Sequence, residues 1–309
     1  MIREPDEAGG AIPGRESDPS FRLWRSQSGD LPVLLAVPHD GRRYPDTLLE
    51  RMRDPANTCP RLEDRHVGQI GHQIAAEIDV SFLAAEAPRA MLDLNRSADD
   101  IDWGMVMGSK PKVARHSMVN RRARNGLGLI PRRIPGMGEI WRGPVSVEDL
   151  NRRIALVYTP YHAALGRELD RLRDVWGAAL LVDLHSMPPL RRSTPGELPA
   201  EFVLGDRFGA SCDGGLADLA MRYLGGHGRR VAHNRPYAGG HMLDRYGQPV
   251  RGIHAIQIEV CRSLYLDSRL DQPSARLSGI GRLLGGLVQA LGHEVAEMGR
   301  PTRLAQAAE

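Results

Sequence analysis

The stretch Ala178–Pro188, AALLVDLHSMP, constrains this chain more than any other. An apolar run from Ala178 to Val182 gives way to Asp183, Leu184, His185 and Ser186, and Pro188-Pro189 stop any continuation. A short apolar run closed by prolines predicts a buried strand. Polar groups at the carboxyl end of a buried parallel strand sit where open α/β sheets place their sites. Alone, a D-x-H reads more simply as a packed strand whose histidine satisfies a local hydrogen bond. Here other stretches end the same way. Leu31–Val37 runs into Pro38-His39-Asp40-Gly41, Ala90–Leu94 reads as a strand ending in Asp93-Leu94-Asn95-Arg96, and His254–Val260 alternates and carries Glu259 near its end.

Helical patterns separate these strands. Arg61–Asp79 places Val67, Ile70, Ile74 and Ile78 near helical spacing, with Asp64 and His66 in its first turn. Val147–Val175 is capped by Ser146, interrupted at Pro160 and closed by Gly177. Further helices are expected over Cys212–Leu224 and Pro273–Met298, and a further strand over Val80–Glu86. The alternation predicts an α/β fold with a mostly parallel mixed sheet covered by helices on both faces. Residues 1–20, polar and rich in Gly, Pro and Asp, are expected to be a disordered lead-in. Residues 21–299 are expected to form one domain and 300–309 a frayed tail. Ser97–Pro144 reads as irregular, with Arg121-Arg122-Ala123-Arg124 a solvated loop, and Asn234–Gly247 as a glycine-punctuated loop.

Composition narrows the function classes. The 41 basic and 38 acidic residues leave a net charge of only +3, and aromatics are 5%, which argues against a nucleic-acid partner. No apolar run approaches the roughly 20 residues that span a bilayer, so no membrane association is expected. Three scattered cysteines, Cys59, Cys212 and Cys261, form no CxxC pair and fit a reducing cytoplasm.

The strand ends supply a chemistry. His39, Asp64 and His185 make a two-His, one-carboxylate set of the kind that holds catalytic zinc and leaves a position for water. Glu259 is available as general base. Arg89, Asn95 and Arg96 could hold an anionic substrate, because guanidinium binds carboxylates bidentately. Each has a plainer reading: His39 as a turn residue, Asp64 as a helix N-terminal charge, Arg96 as a surface charge. Glu259 is harder to dismiss, since a carboxylate in an apolar strand needs a partner.

These motifs, taken together, resemble the N-formylglutamate amidohydrolase family from about Leu31 to Asp267. The resemblance is carried by VPHDGRRYP at 37–45, EDRHV at 63–67, PRAMLDLNR at 88–96, YTPYHAAL at 158–165 and LLVDLHSMP at 180–188. It continues with LGDRFGASC at 204–212, YAGGHMLDRYG at 237–247 and GIHAIQIEVCRSLYLD at 252–267. It implies the fold of zinc-dependent exopeptidases, a Zn2+ cofactor, a small acidic substrate and a role in histidine degradation. The implied reaction is hydrolysis of a C–N amide bond, releasing formate and L-glutamate. Analogy with aspartoacylases implies zinc binding by His39 and His185, substrate binding by Asn95 and Arg96, and water activation by Glu259. Arg89 stands where a further substrate arginine is expected, and Arg245 is a fourth candidate. The relatives take their first two ligands from H-x-x-E, whereas His39 is followed by Asp40, Gly41 and Arg42. The third ligand therefore comes from elsewhere: Asp64, with His66 and Glu63 as rivals. Alternatives are a different N-acyl substrate, a non-catalytic binding protein on the same fold, and an amidase using Cys212 or Cys261 as nucleophile.

Overall fold

The computed structural model describes residues 3–108, 123, 125–192 and 198–306. The main sheet contains β1 (Glu7–Gly9), β2 (Phe21–Trp24), β3 (Val33–Val37), β4 (Ser81–Ala85), β5 (Ala179–Met187), β6 (Phe202–Gly205), β7 (Val231–His233) and β8 (Ile253–Cys261). Their spatial order is β1-β2-β4-β3-β5-β8-β6-β7. The centre, β4-β3-β5-β8, is parallel throughout, as is the β6–β7 pair. β1, β2 and β6 join their inner neighbours antiparallel.

The helices are α1 (Asp46–Leu49), α2 (Pro55–Leu62), α3 (Val67–Ile78), α4 (Val147–Arg153), α5 (Thr159–Trp176), α6 (Gly214–Gly226), α7 (His241–Tyr246) and α8 (Leu277–Gln306). They cover both faces, and strand alternation decides which residue meets which layer. Leu35 of β3, Leu180 and Val182 of β5 and Ile256 and Ile258 of β8 pack with Ile70 of α3, Leu216 of α6 and Leu284 of α8. Leu34 and Ala36, Leu181, and Ala255 face the opposite layer, with Leu165 and Leu169 of α5 and Leu243 of α7. Both central strands are buried along their whole length.

The helix expected over 147–175 divides into α4 and α5 at a π-helical turn, Ile154–Tyr158, just before Pro160. The Ser146 side chain accepts from the Asp149 backbone N–H, and Gly177 closes α5 with φ 79°. The helix expected over 61–79 is instead α2 and α3. Glu63 turns extended and His66 takes a left-handed φ of 61°, which breaks the path and turns Asp64 inward. Ala90–Leu94 is a turn rather than a strand: Met91 N bonds Pro88 O and Arg96 N bonds Asp93 O. Its apolar residues reflect burial in the α5-side core.

The N-terminal expectation is also corrected. Residues 7–9 pair with β2, Ala11 N donates to Leu156 O, and Ile12 is fully buried, so this segment is ordered by pairing and burial despite its polar composition. Helix α8 carries the chain to Gln306, past the start of the expected tail. The loop expected over 234–247 contains α7. Arg121, Arg122 and Arg124 lie outside the described residues. Among the described residues, no helix is long and apolar enough to cross a membrane.

Candidate active site

From β3 the chain moves to β4 on one side and later returns to β5 on the other. The crevice beyond the carboxyl ends of β3 and β5 is thus a switch point, where such sheets place ligands. His39 follows β3, and His185 lies near the end of β5. The bend between α2 and α3 brings in Asp64, whose backbone N–H donates to His39 O at 2.9 Å. The ligand atoms of His39, Asp64 and His185 all lie within 4.8 Å of one another, and all three residues are buried.

Hydrogen bonding orients this set. His39 Nε2 lies 2.7 Å from Asp93 Oδ1, and His185 Nε2 lies 2.9 Å from Asp183 Oδ2. Each carboxylate accepts the Nε2–H and leaves Nδ1 as the ring's free lone pair, the usual support of a metal-bound histidine. His39 Nδ1 is 3.4 Å and His185 Nδ1 2.9 Å from Asp64 Oδ2. Three lone pairs thus converge, so a proton or a cation must lie between them. His39 Nδ1 is buried without a hydrogen-bond partner. A two-His, one-Asp donor set with an orphaned, inward-facing nitrogen fits a divalent metal ion.

Asp64 Oδ1 accepts from Ser186 Oγ at 3.2 Å and lies 3.5 Å from Arg262 Nη2, which fixes the carboxylate so that Oδ2 faces the histidines. Burial alone would raise Asp64; the His185 and His39 rings beside it outweigh burial and hold the group well below the usual carboxylate range. Asp93 behaves likewise: burial opposes ionisation, but Arg89, His39 and Arg96 keep it well below that range.

Glu259 neighbours His185 in the parallel register of β8 on β5, so the two side chains share one face. Burial pushes Glu259 up to about 7; Asp64 and Asp183 add to the rise, while His185 and Arg89 oppose it. Gln257 Nε2 donates to Glu259 Oε1 at 2.9 Å. A carboxyl group poised near neutrality suits proton transfer in both directions.

Arg89, Asn95, Arg96 and Glu259 line the same cleft as His39, Asp64 and His185. Arg89 Nε donates to Asp93 Oδ2 at 2.9 Å, and Arg96 holds the carbonyls of Asn95 and Leu127. Asn95 Oδ1 accepts from Met242 N, and its Nδ2 donates to Asp183 Oδ2 at 3.2 Å. Gly240 packs on this amide so closely that a Cβ there would lie 2.4 Å from Asn95 Oδ1. Arg245 is the exception among the sequence candidates. It is exposed, stands over the Tyr246 ring and is no part of the cleft wall, because α7 turns it outward.

The rivals of Asp64 are committed elsewhere. Glu63 accepts from Tyr44 and Arg65, while His66 Nε2 donates to Asp271 O. All three cysteines are buried and none lines the cleft; burial pushes Cys212 up to about 12. Sequence reasoning missed Arg61, Tyr237, Gln257 and Arg262 in the wall, and did not pair Asp93 with His39. The D-L-N-R run did point to Asp93; nothing in the sequence singled out the other four.

A buried carboxyl group poised near neutrality beside convergent metal-type ligands, at the switch point of an α/β sheet, is an arrangement suited to hydrolysis. The family model described as N-formylglutamate amidohydrolase matches residues 31–266. An N-formylglutamate deformylase from Pseudomonas putida is 34% identical over 77% of this chain and 83% of its own length. One of the same description from Pseudomonas aeruginosa is 32% identical over 84% and 94%. The crystal structure of N-formylglutamate amidohydrolase from Ralstonia eutropha JMP134 is 31% identical, with TM-score 0.79 over 92% of this chain and 99% of that one. An Agrobacterium tumefaciens structure, 15% identical at TM-score 0.62, shares the fold. The chain is a hydrolase acting on a C–N amide bond other than a peptide bond. It belongs to the N-formylglutamate amidohydrolase family.

Proposed function

We propose that this chain hydrolyses N-formyl-L-glutamate to formate and L-glutamate in the cytoplasm, using zinc held by His39, Asp64 and His185. The observation that carries the reading is the convergence of His39 Nδ1, His185 Nδ1 and Asp64 Oδ2 beside Glu259, in a cleft walled by arginines. The deformylase relatives support the substrate. When bound, zinc lowers the pKa of a coordinated water to about 7 and polarises a carbonyl.

The protein's own groups do the rest. Arg89 and Arg96, backed by Asn95, hold the α-carboxylate and fix the amide at the metal set. Glu259 takes a proton from the attacking water. With Oε1 held by Gln257, Oε2 is the oxygen left for that proton. As the water oxygen bonds to the formyl carbon and the C–N bond breaks, Glu259 returns the proton to the leaving nitrogen. Asp93 and Asp183 hold the histidine rings still throughout.

Elemental analysis paired with an assay tests this reading. The expected result is about one zinc per chain and equimolar formate and glutamate from N-formyl-L-glutamate, lost on chelation and restored by zinc. A metal-loaded enzyme that releases no formate from N-formyl-L-glutamate but cleaves another N-acyl amino acid would contradict it.

A further inference from the structure

The cleft contains four guanidinium groups, and they differ in what already neutralises them. Arg89 is paired with Asp93 at 2.9 Å, and Arg96 lies 3.8 Å from the same carboxylate. Arg262 lies 3.5 Å from Asp64, with Nε on Ser186 Oγ. Arg61 lines the same cleft, is exposed, and makes no hydrogen bond or ion pair among the described residues.

Their placement is ordered around one ring. His39 presents Nε2 to Asp93 and Nδ1 to Asp64. Arg89 and Arg96 gather at the Asp93 edge, and Arg262 at the Asp64 edge. Arg262 also donates to the carbonyls of Pro60 and Glu63, so it anchors the end of α2 there and fixes the backbone on both sides of Arg61. The wall therefore offers two kinds of cation beside the metal set: Arg89, Arg96 and Arg262, which already face a carboxylate, and Arg61, which is exposed and unpaired among the described residues.

We propose that Arg61 is the specificity-determining residue that reads the second carboxylate of a dicarboxylic N-acyl amino acid. This rests on the N-formyl amino acid reading given above. The α-carboxylate is one carbon from the amide nitrogen, so it must lie close to the metal set, where half-buried Arg89 and buried Arg96 sit. A side-chain carboxylate several bonds further out reaches the rim. There an unpaired guanidinium forms charge-assisted hydrogen bonds without first breaking an ion pair within the protein.

The test compares N-formyl-L-glutamate with N-formyl-L-glutamine, which has the same shape but a neutral side chain. Metal-loaded Arg61→Ala should lose about 10-fold in kcat/KM on the glutamate compound, chiefly through KM, since a charged hydrogen bond is worth roughly that factor. The glutamine compound should change less than about twofold, and Arg61→Lys should recover part of the loss. Equal losses on both compounds, or no loss on either, overturn the proposal. Glutarate binding by titration calorimetry reads the same contact without turnover. Weakening of about 10-fold in Arg61→Ala supports the proposal, by the same charged-contact magnitude, and unchanged affinity overturns it. Wild-type enzyme that cleaves neither formyl compound sinks the deformylase reading, and the glutarate titration still decides the role of Arg61.

Discussion

The two halves of β5 are equally buried and chemically opposite. Ala179–Val182 and Asp183–Met187 are all nearly inaccessible. In the first half burial is itself the stabilising term, and each side chain needs only neighbours of fitting shape. In the second half burial works against every polar group, so each carries a partner: Asp183 takes His185 and Asn95, His185 takes Asp64, and Ser186 takes Asp64 and Arg262. The difference teaches that the site rests on a buried polar network, not on exposure. Substitutions in the two halves should therefore fail in different measurements.

The largest effect belongs to the apolar half. Leu181→Ala should cost about 2–5 kcal/mol of stability by leaving a cavity, read by chemical denaturation. Metal affinity and kcat per folded molecule should stay near wild type. A comparable loss of metal would break the distinction between the halves. In the polar half, Asp183→Asn removes the carboxylate behind His185 and should weaken metal binding about 10- to 100-fold, measured by chelator competition. Ser186→Ala frees one oxygen of Asp64 and should cost about 0.5–1.5 kcal/mol of metal affinity in the same assay.

The pH profile sharpens the comparison further. Glu259 must be ionised to take a proton, and its pKa is pushed up to about 7. The kcat/KM should therefore fall as pH drops below about 7. Asp183 contributes to that rise, so Asp183→Asn should move the acid limb to lower pH. A limb that stays in place would detach Asp183 from the base.

The central sheet was legible because β3, β5 and β8 announce themselves by apolar runs ending in His, Asp or Glu. What escaped was set by tertiary pairing. β1 spells only Glu-Ala-Gly and exists because β2 offers it an edge. The break before α3 lies at Glu63–His66, without a glycine or proline to mark it. Helix α7 hides behind two glycines. At the site, His39, Asp64, His185 and Glu259 could be read because each belongs to a distinctive strand end or helix start. Arg262 and Arg61 could not, because their roles depend on the packing of α2 against the end of β8. Arg245 shows the reverse: a motif residue that an unforeseen helix turns outward.

The most direct test of the central claim is turnover of N-formyl-L-glutamate by Glu259→Gln, with metal content measured on the same sample. Full metal occupancy with kcat lower by about 10²–10⁴-fold is expected for loss of a general base. Full occupancy with near-normal kcat would contradict the assignment of proton transfer to this strand end.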